Sequence, residues 1–304
     1  MGHHHYHHNI NSTSGRLIIT MILNFVITIA EVIGGILSGS LSLISDALHN
    51  FSDGISVILS YIAIKLKERK NSHKHTFGLK RAEILAAVIN ASVLAVISVY
   101  LFYESVVRII NPTEIEGHIM TIVAGIGLAA NVAGTLLLKR DAHTSMNIKS
   151  SYLHLLSDAV SSVAVILGGL AITYWDIYWI DPILTILIGL YILRECYFII
   201  GDAVHILMEG APSDISIEEI QKEVEKINGV EDIHHIHIWS VGENDNHFEA
   251  HVNVEDMKLS QSNKLLNEIE NLLSEKFSIN HVTIQLECDK CFEPNLIEQH
   301  KISS

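Results

Sequence analysis

Six apolar stretches, each interrupted by small polar side chains, occupy the first two thirds of the chain. They run Leu17–Leu37, Leu41–Ile64, Ala82–Val106, His118–Leu138, Tyr152–Tyr174 and Pro182–Ile200. Each is close to the roughly 20 residues a helix needs to cross a hydrocarbon core. Small polar interruptions are typical of helices packed in a bundle. The pattern predicts a membrane all-α six-helix bundle, and six consecutive spans argue against a soluble one.

The pattern changes after Gly210-Ala211-Pro212. Acidic residues alternate with Ile217, Ile220, Val224 and Ile227, which predicts an amphipathic helix from Ser216 to Ile227, with Ser216 as N-cap and Glu219 three residues on. Ile233–Val241 and Phe248–Val254 read as strands joined by a polar turn. Leu259–Phe277 is a second helix and His281–Glu287 a third strand. The expected organisation is a His-rich cytoplasmic tail at 1–15, a six-helix transmembrane domain at 16–211, and a small cytoplasmic α+β domain of order αββαβ at 212–304.

Charge sharpens this division. Mean hydropathy is +0.33 with 18% charged residues, between a soluble enzyme and a bare membrane bundle. From Pro212 onward there are 7 Lys+Arg against 19 Asp+Glu; the preceding residues hold 13 against 15. An acidic domain repels phosphate and is a poor nucleic-acid binder, but it is a good host for divalent cations. Lys65, Lys67, Arg69, Lys70, Lys74, Lys80 and Arg81 fill one loop, and Lys139, Arg140 and Lys149 another. The loops around Gly39, Pro112–Gly117 and Trp175–Asp181 carry no Lys or Arg. The positive-inside rule then puts both termini in the cytoplasm, with Trp175, Tyr178 and Trp179 in the outer interfacial belt. No cleavable signal peptide is expected, because the first apolar stretch is long enough to span and follows a polar leader. Three cysteines, Cys196, Cys288 and Cys291, do not make a disulfide scaffold.

Two of the apolar stretches contain histidine and aspartate four residues apart: His49 with Asp53, and His154 with Asp158. That spacing puts both side chains of a pair on one helix face. An aspartate at mid-membrane costs about 2.5–3.5 kcal/mol on insertion scales, so two such pairs require a physical reason. Two imidazoles and two carboxylates supply four ligands to a tetrahedral cation such as Zn2+, and their −2 charge neutralises it. Protons compete for the same atoms, which makes the set suited to metal–proton exchange. Nitrogen ligands favour Zn2+, Co2+ or Cd2+, whereas an all-oxygen set would suit Mn2+.

With these residues the chain closely resembles the cation diffusion facilitator family, in its bacterial zinc/cobalt/cadmium efflux branch, which is similar to the animal zinc transporters. The resemblance rests on Ser45-Asp46-Ala47-Leu48-His49 with Asp53, on His75-Thr76-Phe77-Gly78-Leu79-Lys80-Arg81-Ala82-Glu83, on His154 with Asp158, on Leu207-Met208-Glu209-Gly210, and on His237-Ile238-Trp239-Ser240. It implies a homodimer in which each protomer has its own transport site at His49, Asp53, His154 and Asp158, and alternating access with proton exchange. Asp46 belongs to the motif without being a ligand, and Arg81 with Glu209 would form a charge interlock at the cytoplasmic end of the bundle.

The resemblance also implies a metallochaperone-like terminal domain that dimerises and binds regulatory zinc. His234, His251 and Glu287 match its metal positions, and Cys288 with Cys291 resembles a terminal C-x-x-C. The histidine expected just before the last strand falls at Asn280, with His281 one position off. On a regular strand His235 and His237 share one face and His234 takes the other. His73 and His75 form a further candidate site in the basic loop, which a phosphate- or lipid-facing role also explains.

The expected function is a secondary transporter that exports Zn2+, with Cd2+ or Co2+ as further substrates, in exchange for protons. Its partners are the metal, protons, membrane lipid and a second copy of the chain, with no nucleic acid and no catalytic cofactor. The alternatives are a membrane metal sensor without transport, or an antiporter for Mn2+ or Fe2+. A metalloenzyme is disfavoured because H-E-x-x-H and G-x-S-x-G are absent, and an ATP-driven pump because G-x-x-x-x-G-K-[ST] is absent.

Overall fold

The computed structural model describes residues 10–67, 71–139, 146–242, 245–288 and 296. These fall into two compact units: residues up to Tyr61 with Ala87–Ile200, and Ile62–Ala86 with Gly201 onward. Six long helices occupy the first two thirds of the chain: α1 (Ile10–Ser38), α2 (Leu41–Lys67), α3 (Ala82–Ile110), α4 (Gly117–Leu138), α5 (Met146–Trp175) and α6 (Ile180–Leu207). Among the described residues four helices are long and apolar enough to cross a membrane: α3, α4, Tyr152–Trp175 of α5, and α6. Ile22–Ser38 of α1 is a shorter apolar segment. In α2, Ser45, Asp46, His49, Asn50, Ser52 and Asp53 dilute the apolar run.

These helices bury polar side chains alongside apolar ones and leave large apolar ones outside. In α1, Ile22, Val26, Ile29, Ile33 and Ile36 are exposed while Thr28, Glu31 and Ser38 are buried. Buried polar residues on α2 include Ser42, Ser45, Asp46 and Asn50, and on α5 Asp158 and Ser162. Water would favour the opposite arrangement; lipid favours this one, because polar groups must find partners or a cavity within the bundle.

Two features fix the packing. α4 and α5 approach through small residues: a methyl on Gly169 would collide with Thr121 Oγ1, and one on Gly117 would stand 2.7 Å from the Gly169 carbonyl oxygen. Such close backbone contact is how membrane helices gain dispersion energy where no hydrophobic effect drives them together. The start of α2 is tied to α6 by Asp181, which is fully buried. Its carboxylate accepts from Ser40 Oγ (2.6 Å), Ser42 Oγ (2.6 Å), Leu41 N–H (2.8 Å) and Ser42 N–H (3.1 Å). Those amides are among the orphan donors of a helix N-terminus, and a carboxylate complements the positive end of the helix dipole. The intervening turn at Gly39 has φ +73°, which an L side chain rarely adopts.

The C-terminal part has the expected order αββαβ: α7 (Ile217–Val224), β1 (Val230–Gly242), β2 (Asp245–Val254), α8 (Leu259–Phe277) and β3 (Ile279–Glu287). Ser216 Oγ caps α7 by accepting from the Glu219 N–H at 3.2 Å. The helix is shorter than its amphipathic pattern: Lys226 and Ile227 donate to carbonyls three residues back, so the last turn tightens and helix geometry stops at Val224. β1 pairs antiparallel with β2, and β3 lies parallel to β2, in the order β1-β2-β3. Leu265, Ile269, Leu273 and Phe277, four apart on α8, pack on Ile233, Ile236, Ile238, Phe248, Ala250 and Val252 of the sheet.

β1 is not regular. His234 pairs with His251 and His237 with Glu249, so one extra residue is accommodated between them, and His235 has φ +52°. This β-bulge resets the alternation, so that Ile233, Ile236 and Ile238 all reach the core. The expected separation of His234 from His235 and His237 is thereby corrected: the His234 and His235 rings both meet His251, at 5.6 and 4.6 Å between centroids, and His235 lies 5.0 Å from His237.

Candidate metal centres

α2 and α5 pass each other antiparallel, since Asp46 meets Ser161 where Asp53 meets His154. The two His–Asp pairs therefore converge. His154 Nε2 lies 3.1 Å from Asp53 Oδ2 and 3.5 Å from Asp158 Oδ2, while His49 Nε2 lies 3.7 Å from Asp53 Oδ2 and 3.9 Å from Asp158 Oδ1. A tetrahedron with metal–ligand bonds of about 2.0–2.1 Å has edges of about 3.3 Å. Ligand atoms of His49, Asp53 and His154 all lie within 4.8 Å of one another, a three-ligand group for a zinc-sized ion, whereas Asp158 meets the two imidazoles through different oxygens and joins as the fourth ligand only with a shift of its side chain.

Asp53 Oδ2, His154 Nε2 and Asp158 Oδ2 are buried atoms whose polar contacts are with one another and not with groups outside the set, the condition of ligands rather than of a finished polar network. A cavity of about 160 Å3 opens beside His49 and Asp53, lined also by Asn90, Glu195 and Cys196. At about 30 Å3 per water it holds several, enough for an ion to approach partly hydrated. Asn90 Nδ2 donates to Ser52 Oγ and Ser56 Oγ at 2.9 and 2.8 Å, fixing the cavity wall between α2 and α3.

A second group of metal-ligating side chains lies on the sheet: His234, His251 and Glu287. His234 Nε2 is 3.6 Å from Glu287 Oε2, and His251 Nδ1 is 3.2 Å from Glu287 Oε1. The other nitrogen of His234 is held by Asp232 Oδ1 at 2.7 Å, and Asp232 Oδ2 in turn accepts from Asn253 Nδ2 at 2.7 Å. A carboxylate on one imidazole nitrogen fixes the ring and leaves the other to coordinate, as in the supporting shell of metal sites. His234 Nε2 is buried with no hydrogen-bond partner.

The remaining candidates are dispersed. Cys288 is exposed, and Cys291 lies outside the described residues. His73 and His75 are exposed in the loop before α3 and join neither group. Arg81 and Glu209 pair within one chain, Nη2 to Oε1 at 3.1 Å, and Glu209 has φ +60°. His281 lies apart from His234: its ring is 4.6 Å from His247, which also meets Phe77 at 5.2 Å and Trp239 at 5.6 Å. Burial pushes the His247 imidazole below its ordinary value, and neighbouring His281 adds to the shift. Lys80 pairs with Asp245 beside this ring cluster.

Sequence reasoning missed three groups: Asp181 with Ser40 and Ser42, His247 with its aromatic neighbours, and Glu31. Glu31 is a buried acid on α1 that accepts from Asn50 Nδ2 at 3.0 Å. Its signal was available, since an acid inside an apolar span is itself conspicuous.

Residues 17–208 match the model of the cation efflux transmembrane domain, and residues 212–289 that of the cation efflux protein cytoplasmic domain. Among curated relatives, the cadmium, cobalt and zinc/H(+)-K(+) antiporter of Bacillus velezensis is 41% identical, covering 94% of this chain and 92% of that protein. The zinc transporter ZitB of Pectobacterium atrosepticum is 36% identical, covering 95% and 90%. The metal cation efflux system protein CzcD of Cupriavidus metallidurans is 35% identical, covering 99% and 95%.

Proposed function

Because this chain belongs to the cation efflux family, we propose that it is a multi-pass membrane transporter that exports Zn2+ in exchange for protons, through His49, Asp53, His154 and Asp158. The observation that carries this reading is the convergence of two imidazoles and two carboxylates from α2 and α5, with imidazole–carboxylate distances of 3.1–3.9 Å, beside a cavity of about 160 Å3. Relatives named for zinc, cadmium and cobalt support the substrate class, and the name of the Bacillus velezensis relative includes proton exchange.

Zn2+ entering the set exchanges its water for two neutral imidazoles and two carboxylates, whose −2 charge cancels its own. Proton binding to the same atoms releases it. If the ligands face one side when charged with metal and the other when protonated, the proton gradient drives metal out. The working unit is a homodimer with six spans per protomer and both termini in the cytoplasm, which the distribution of basic loops supports. Arg81 with Glu209 braces the segment joining the helices to the terminal domain. The domain boundary falls at residues 211–212.

In this reading His234, His251 and Glu287 bind a regulatory zinc that draws the two terminal domains of the dimer together, with Cys288 and Cys291 as accessory ligands. In the full chain carrying Asp158→Ala, zinc should still bind, and His234→Ala in that background should reduce the stoichiometry.

The deciding experiment places the protein in vesicles holding a zinc-sensitive dye under an imposed pH gradient. Zinc movement that follows the gradient and is lost in Asp158→Ala supports antiport through this site. Flux retained in the variant refutes the site, and no flux for any divalent cation in the parent refutes transport in favour of sensing.

A further inference from the structure

α1 buries a carboxylate that the four-ligand set does not use. Glu31 is 1% exposed; its Oε2 accepts from Asn50 Nδ2 at 3.0 Å, and its Oε1 has no hydrogen-bond partner. Room has been left for it: a methyl on Gly127 of α4 would stand 2.7 Å from Oε1. The charged groups it senses are Asp46 on α2 and Asp158 on α5, both acids. On α4 the neighbouring turn carries Asn131, a buried amide whose Oδ1 and Nδ2 also lack partners. No cationic side chain lies against Glu31 among the described residues.

Asp181 shows what a structural buried carboxylate looks like in this bundle. It is as inaccessible as Glu31, yet both its oxygens are occupied, by two hydroxyls and two helix-end amides. Glu31 has one amide donor and an orphan oxygen. An ionised carboxylate cannot be held that way in a low dielectric; it takes up a cation. An alkali ion would need its hydration shell replaced by several oxygens converging on one point, and among the described residues the side-chain contact of Glu31 is its hydrogen bond from the Asn50 amide. A proton needs a single oxygen.

We propose that Glu31 is a proton-binding site of the transport cycle, separate from the metal ligands: protonated while the ligand set is empty and ionised while a divalent cation occupies it. The proposal rests on the antiport reading. When Zn2+ adds two positive charges to the ligand set, the O–H bond of the Glu31 acid breaks, its electron pair stays on the carboxylate and the proton passes to solvent. When the metal leaves, the bond re-forms. Asn50 follows His49 directly and donates to Glu31 Oε2, so the proton site on α1 is tied to the ligand-bearing helix α2.

The test counts protons released per zinc bound by the full-length protein in weakly buffered detergent, comparing the parent with Glu31→Gln. Glutamine has the shape of the neutral acid but no proton to release. The variant should release about one proton fewer per zinc, and its flux in vesicles should depend less steeply on pH. Equal proton release at equal zinc occupancy would overturn the proposal. If the glutamine variant does not fold, protein carrying Glu287→Gln, so that the terminal-domain ligand contributes no band, and labelled with 13C-glutamate decides by infrared difference spectroscopy. A labelled carboxylic-acid carbonyl band lost on adding Zn2+ supports the proposal; its absence from the metal-free protein overturns it. Failure of the antiport reading looks different, since the parent itself would then show no proton-driven zinc flux.

Discussion

His154 Nε2 lies nearer to Asp53 Oδ2 on the neighbouring helix, at 3.1 Å, than to Asp158 Oδ2 on its own helix, at 3.5 Å. The ligand set is therefore not two independent pairs side by side but one interlaced group. In the proposed transport site neither α2 nor α5 would hold a metal alone, so a small shift of one helix against the other would change the affinity of the whole.

Interlacing makes Asp53 as important to His154 as to its own partner His49. Asp53→Asn keeps the shape and removes the charge. It should weaken zinc binding at this site by at least 10–100-fold, on the order of what loss of supporting groups costs elsewhere. Zinc titration of the purified variant measures this, with unchanged circular dichroism showing that α2 is intact. An affinity within threefold of the parent, roughly 0.6 kcal/mol, would mean that Asp53 is not a ligand.

Metal choice should follow ligand chemistry. Replacing His49 by Asp converts the set to one nitrogen and three carboxylates, which suits a harder cation. The ratio of Mn2+ to Zn2+ flux in vesicles should rise about tenfold or more, equivalent to ~1.4 kcal/mol of discrimination. An unchanged ratio would place selectivity elsewhere in the protein.

Asp181 should matter for stability and not for chemistry. Asp181→Asn removes the charge that holds Ser40, Ser42 and the first amides of α2. A loss of about 2–3 kcal/mol is expected from hydrogen bonds to a charged group. It should appear as a lower melting temperature in detergent, while zinc affinity per folded molecule is preserved. A variant that melts like the parent would show that the helix end is held by other contacts.

The terminal domain should lose stability in mild acid through His247. In the unfolded chain an ordinary histidine takes up its proton near pH 6.5. In the folded domain burial and His281 keep His247 neutral to lower pH. The unfolded state therefore binds more protons, and stability falls as pH drops through about 6.5. Replacing His247 by Leu should flatten that decline in hydrogen exchange of the β2 amides between pH 7.5 and 5.5. An equally steep decline in the variant would assign it to other groups.

Much of the architecture was legible because it rests on short-range regularities. Spanning-length apolar runs, the helix-face spacing of His49 with Asp53 and of His154 with Asp158, and the four-residue repeat of Leu265, Ile269, Leu273 and Phe277 all follow from helix geometry. What escaped depends on long-range contact or on a single irregular residue. Asp181 looks like an ordinary acid before a proline until Ser40 and Ser42 arrive from 140 positions away. Glu31 was one acid in an apolar run, and its meaning emerged only once Asn50 and Gly127 flanked it. The span count was blurred where polar groups in α2 lower its hydropathy. The grouping of the β1 histidines was misjudged because period two assumes a regular strand, and His235 is not in one.

That irregularity also bears on how the domain can change over evolutionary time. Without His235 a regular strand would turn His234 and His237 away from the core; the bulge adds His235 beside them without displacing Ile233, Ile236 or Ile238. Deleting His235 would restore a regular ladder with the same residues packed inside. An imidazole can thus be gained or lost here while the interior stays in place. If these histidines bind regulatory metal as proposed, that responsiveness is free to drift between lineages with little consequence for foldability.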